Sequence, residues 1–156
     1  MGMVADANLG LEKILKKGNA MLAPGGAIQL FIDSTVLKEI APYVPRRNGT
    51  LTKSAILHSK IGQGKLIWKT PYARYLYHGV LYVDPLYKIG GFTDGERFWS
   101  RPGVAKVPSN PVRRLAFDTS RSARAGAKWC ERYKDDHLRE LAGMVQGKAA
   151  SVWKNS

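Results

Sequence analysis

The chain has 156 residues, 44% of them hydrophobic, which is enough for one domain with its own core. No run approaches the ~20 apolar residues of a membrane span and no apolar signal segment opens the chain, so a soluble protein made in the cytoplasm is expected. The single cysteine, Cys130, excludes an internal disulfide and a cysteine-built zinc site, and a formal charge of +13 with a pI near 10 points to polyanionic or acidic partners.

In chain order, Leu11, Ile14, Leu15, Met21 and Leu22 fall at helical spacings, so residues 1–24 read as a helical arm that ends at Pro24-Gly25. Residues 25–142 read as a single α+β domain. Within it, Ile28, Phe31, Ile32, Val36 and Ile40 recur at three and four, predicting an amphipathic helix that Pro42 terminates. Asn48-Gly49 signals a turn. Ser54 to Ile61 alternates in polarity and, joined through Gly62-Gln63-Gly64 to Leu66, Ile67 and Trp68, predicts an antiparallel hairpin. Pro71 then breaks the ladder and opens a short helix through Tyr72, Tyr75 and Leu76, which Gly79 ends.

From Val80 to Pro111 the chain is rich in Gly and Pro and carries Tyr82, Tyr87, Phe92, Phe98 and Trp99. This predicts a long excursion with short strands near Phe98 and Val104 to Val107, and a loop of that length in a small domain is usually functional. From Ser120 onward Ala125, Trp129, Tyr133, His137 and Leu141 stand at steps of four, predicting a final helix capped by Thr119 or Ser120. Residues 143–156 form a C-terminal tail that extends the helix or frays. The expected fold is therefore a small antiparallel sheet flanked by helices, with a long central loop or hairpin excursion.

The chemistry-bearing residues do not converge on a reaction. His58, His78 and His137 are far apart and stand in no metal-binding spacing. Neither common glycine-rich nucleotide fingerprint occurs, and the acids of the excursion, Asp84, Asp94 and Glu96, read as turn-solvating. No cofactor, metal or catalytic set is expected, and Cys130 reads as a half-buried packing residue beside Trp129. No Asp or Glu stands between Glu39 and Asp84, whereas that interval holds Arg46, Arg47, Lys53, Lys60, Lys65, Lys69 and Arg74. An exposed Arg pair binds carboxylate or phosphate bidentately, so Arg46 and Arg47 are the leading contact candidates. Tyr72, Tyr75 and Tyr77 around Arg74 have two readings: stacking groups for single-stranded bases, or, favoured by spacing, anchors of a short helix. The predicted core set is Phe31, Trp68, Tyr72, Tyr75, Trp129 and Tyr133.

Four blocks stand in a recognisable order: Pro42-Tyr43-Val44-Pro45, Asn48 to Ala55, Thr70 to Gly79, and Ala125 to Arg132, with Asp84-Pro85 between the last two. In these the chain resembles the tailed-phage minor capsid and head-tail joining proteins, also called tail-completion proteins, over scattered blocks from Ile28 to Glu140. Cys130 departs from the aromatic residue that the last block leads one to expect. The resemblance implies an α+β domain without catalysis that assembles as a homo-oligomeric ring, commonly a hexamer, in the neck of the virion after assembly in the host cytoplasm. The implied partners are the head-side connector or portal adaptor and the tail-terminator or tail-tube proteins, with non-specific contact to DNA in the lumen and no membrane. The interface residues expected on this reading are Arg46, Arg47, Lys53, Arg74, Tyr82, Tyr87, Phe92, Phe98 and Trp99. The alternative is a basic nucleic-acid-binding domain that uses residues 46–77.

Overall fold

The computed structural model describes residues 3–6 and 23–154 of the chain. Met3–Asp6, expected within the helical arm of residues 1–24, form strand β1 instead; the helical spacings from Leu11 to Leu22 lie outside the described residues. Helix α1 spans Ala27–Glu39, and its apolar stripe of Ile28, Ile32 and Val36, continued by Ile40, is buried along one face. Phe31 packs partly buried against the same core. The chain then tightens into a single 3-10 turn over Ala41–Tyr43, because Pro42 brings no N–H with which to continue the helix.

The expected strand from Ser54 to Ile61, and with it the local hairpin, is not formed. Helix α2 occupies Thr50–His58 instead, burying Leu51, Ser54 and Ala55 at spacings of three and four while Leu57 is 78% exposed. A short apolar run fits either period, and tertiary contact chooses between them. Gly49 takes the left-handed conformation with φ 81°, and the Asn48 side-chain oxygen accepts the Thr50 N–H at 3.1 Å, so the turn signal launches a helix. Strand β2, Lys65–Trp68, finds its partner far upstream: it runs antiparallel to β1, with Met3 opposite Trp68 and Asp6 opposite Lys65.

Helix α3, Ala73–His78, ends as predicted at Gly79, whose left-handed φ of 66° lets its N–H reach the carbonyls of Tyr75 and Leu76. The excursion follows. Strand β3, Tyr82–Val83, pairs antiparallel with β6, Val107–Pro108, and inside that ladder β4, Phe92–Thr93, pairs with β5, Phe98–Trp99. The described residues thus hold three two-stranded antiparallel sheets and four α-helices, an α+β fold.

The last helix, α4, spans Trp129–Lys154, so it starts later than Ser120 and runs through the expected tail. Residues before Trp129 direct their N–H groups across the molecule rather than along a helix: Gly126 donates to the Tyr43 carbonyl and Lys128 to that of Tyr77. Lys128 also has φ 53°, a conformation no helix continues. α1 packs on α4, and β2 packs on α1 and α2. Trp68 and Trp129 meet edge to face in the core at 5.9 Å, and Tyr43 meets Tyr133 at the same separation. The two buried phenols end on carboxylates, Tyr43 on Asp136 at 2.6 Å and Tyr133 on Glu39 at 2.8 Å, which cross-link the 3-10 turn and α1 to α4.

Candidate functional site

Two surface features lie outside this core, and both involve residues singled out by sequence. The first is a groove of about 600 Å³ between the Pro45–Gly49 turn, Tyr72 and Leu76 at α3, and the segment 116–118. Arg46 and Arg47 form its lip, Leu51, Tyr72, Leu76 and Phe117 give its apolar wall, and Asp118 is the one acid lining it. The lip is built by the turn itself. Gly49 lacks a side chain where the Arg46 guanidinium passes, its Nε lying 3.6 Å from where a Cβ would stand. The first turn of α2 carries no acidic residue, so the positive end of that helix adds to the arginine charge. The Ser120 hydroxyl and N–H hold the Asp118 carboxyl below the ordinary carboxylate range. A smaller hollow of about 310 Å³ adjoins it, sharing Arg46 and Asp118 and adding Lys38 and Arg121.

The second feature is the arm between Gly79 and Leu115. Its base is a ladder: Leu81 donates to the Arg113 carbonyl, Ser109 to that of Leu81 and Leu115 to that of Gly79. Asp84, 4% exposed, closes the base from inside. One of its oxygens accepts the Leu86 and Tyr87 N–H groups, and Arg101 clamps both oxygens at 2.6 and 2.7 Å. That bidentate cation, together with the backbone donors, outweighs desolvation and holds the Asp84 carboxyl well below its usual range. Beyond this anchor the β4–β5 hairpin presents Phe98 at 70% and Trp99 at 46% exposure. Trp99 stacks on Phe92 at 6.2 Å, Phe92 meets the edge of Tyr87 at 5.2 Å, and Arg101 lies over Tyr87 at 5.2 Å. The tip is preformed: one Asp94 oxygen accepts the Glu96 and Arg97 N–H groups, and Gly95 supplies a φ of 98°.

The structure therefore brings Arg46 and Arg47 together at one groove and Tyr87, Phe92, Phe98 and Trp99 together on one arm. Lys53 and Arg74 are exposed but do not line the groove. Tyr82 is partly buried, its ring tilted against that of Tyr75 at 4.7 Å. In the predicted core set Trp68, Trp129 and Tyr133 are fully buried, whereas Tyr72 is corrected: it is 37% exposed and forms groove wall, because it precedes the first turn of α3. Cys130 is buried rather than half-buried, and burial pushes its thiol up to about 12. Arg101, Phe117 and Asp118 escaped sequence reasoning. Arg101 shares no periodic relation with Asp84, and the only hint was an Asp-Pro pair in a stretch poor in acid.

Among the described residues no group of His, Cys, Asp and Glu could hold a metal ion, and no helix is long and apolar enough to cross a membrane. The fold and its surfaces define a small α+β domain with a basic groove and an anchored aromatic arm. No protein-family model, curated protein or solved structure matches the chain.

Proposed function

We propose that the chain is a structural virion protein of the phage neck, a tail-completion or minor capsid component that forms a ring, hexameric by resemblance, and joins the DNA-filled head to the tail. The observation that carries the reading is the arm: exposed aromatic rings stand on a base fixed by the buried Asp84 carboxylate and the half-buried Arg101 guanidinium. Large apolar side chains presented on a rigid support are the usual make-up of an interface anchor. The reading assigns no reaction to the chain. Its working residues are Arg46, Arg47 and the arm, in contact with neighbouring subunits, with the head-side connector or portal adaptor and with tail-terminator or tail-tube proteins, while remaining positive charge faces DNA in the lumen. Replacing Arg46→Glu together with Arg47→Glu leaves the fold intact, since both side chains are exposed, and abolishes joining of heads to tails. Normal yields of infectious, tail-bearing particles from that double variant refute the contact assignment.

The charge distribution also favours a second reading, a basic nucleic-acid-binding domain, because seven Lys and Arg and no acid occupy the interval between Glu39 and Asp84. Against it, two of its three stacking candidates are already packed: Tyr75 on Tyr82, and Tyr77 edge-on to Trp129 at 4.7 Å with its hydroxyl on Glu131. Under this reading Tyr72→Ala lowers affinity for a single-stranded oligonucleotide in a strongly salt-dependent assay, and an unchanged affinity removes it.

A further inference from the structure

We infer that the ring closes arm into groove: the β4–β5 hairpin of one copy docks in the Arg46/Arg47 groove of the next. This rests on the ring reading above and supplies the contact that the reading lacks. The two surfaces mirror each other in charge. The groove lip carries Arg46 and Arg47 with one acid, Asp118, whereas the hairpin tip carries Asp94 and Glu96 with one base, Arg97. Opposed patterns of this kind set register and reject wrong partners.

The apolar parts correspond as well. Trp99 pairs across the hairpin with Phe92, so those rings share one face, whereas Phe98 pairs with Thr93 on the other. Phe98 lies over Gly91 with the Lys106 cation 5.8 Å from its ring, yet stays 70% exposed. A ring so placed is available to the Leu51, Tyr72, Leu76 and Phe117 wall of a groove whose about 600 Å³ lies within the ordinary range for binding clefts. The tip turn is already locked by Asp94 and Gly95, so little order remains to be imposed on docking.

Among the described residues none from the arm lines the groove of its own chain. Two different patches on one chain make the contact heterologous, and a heterologous contact that closes makes a ring.

The test is self-association measured by sedimentation on the full chain, with circular dichroism to verify folding. Glu96→Arg at the tip and Arg47→Glu at the lip each weaken association by about tenfold or more, since each sets like charges against each other. An equimolar mixture of the two variants regains assembly, because the reversed tip meets the reversed groove and the native tip the native groove. In parallel, Glu96→Cys combined with Arg47→Cys gives a ladder of cross-linked species with a short bismaleimide, whereas either cysteine alone gives no more than dimers. Rings formed by the wild-type chain and equally by both charge-reversed variants overturn the arm-into-groove contact and leave the ring reading standing. A wild-type chain that stays monomeric at the highest soluble concentration also overturns it, and the neck reading is then judged by the particle-joining experiment alone. Saturation of the groove by an oligonucleotide, in a chain whose association neither charge reversal changes, overturns it in favour of the nucleic-acid reading.

Discussion

Asp33 is the residue on which the connection into β2 depends, and its removal has a calculable effect. The side chain is fully buried on α1. One oxygen accepts the N–H groups of Gly62 at 2.6 Å and Gly64 at 3.0 Å, and the other accepts the Gln29 amide at 2.6 Å. Asp33→Ala deletes three hydrogen bonds and leaves two buried glycine N–H groups without an acceptor. At ~1–3 kcal/mol for each donor left unsatisfied, and with some relaxation of the turn, the loss is about 3–5 kcal/mol. That is a large share of the ~5–15 kcal/mol by which a domain is stable. Asp33→Asn separates charge from geometry: its remaining oxygen serves the two glycines, and Gln29 turns its amide to accept from the new NH₂, so the loss falls to about 1–2 kcal/mol. Urea titrations followed by tryptophan fluorescence read both variants, because Trp68 is the last residue of β2. An Ala variant that loses no more than about 0.5 kcal/mol, the ordinary range for a surface substitution, refutes the reasoning. So does an Asn variant as damaging as Ala.

Three further outcomes follow from particular geometries. Gly79→Ala places a Cβ 2.6 Å from that of Ala127 at a left-handed φ of 66°, so conformational strain and overlap together cost about 2–4 kcal/mol. Gly25→Ala, with a φ of 83° and open space, is the control that loses only the conformational part; equal losses in denaturant titrations refute the overlap argument. For Asp84 the folded carboxyl titrates below its unfolded value, so the anchoring it contributes is fully present above about pH 4 and is lost only as pH falls further through the folded value. Amide resonances of Leu86 and Tyr87 that titrate with a midpoint at or above pH 4 contradict this. Cys130, its thiol pushed up to about 12 by burial, stays protonated near neutral pH, so a disulfide reagent at pH 8 modifies it at a rate limited by opening of the fold. Modification of the native chain as fast as of the urea-unfolded chain shows the thiol to be open.

Local chemistry was enough for elements whose signals do not depend on distant partners. The steps of four in α1 and, from Trp129 onward, in α4, the stop at Pro42 and the left-handed glycine closing α3 are properties of a few neighbouring residues, and they stand in the structure as predicted. Arg46 and Arg47 were legible as exposed because Pro and Gly bracket them, and the excursion was legible from its composition. Ser54 to Ile61 reads wrongly as a strand from the alternation of Ala55 and Leu57, whereas Leu51, Ser54 and Ala55 stand at the helical spacing that the structure uses. The choice was made by burial against β2, whose strand partner β1 comes from the far end of the chain.

The start of α4 was also decided at a distance, because Tyr43 and Tyr77 offer carbonyls that draw the preceding segment out of a helix. The groove and the arm belong to the same class. Asp84 meets Arg101, and Arg46 meets Phe117 and Asp118 across one groove, only after the ladder from Gly79 to Leu115 has brought the chain back. Periodicity and capping report on residues within a turn or two of each other, so the sequence by itself determined the helical faces, their stops and the basic interval. Which remote side chains share a surface depends on long-range pairing, and that only the tertiary structure decided.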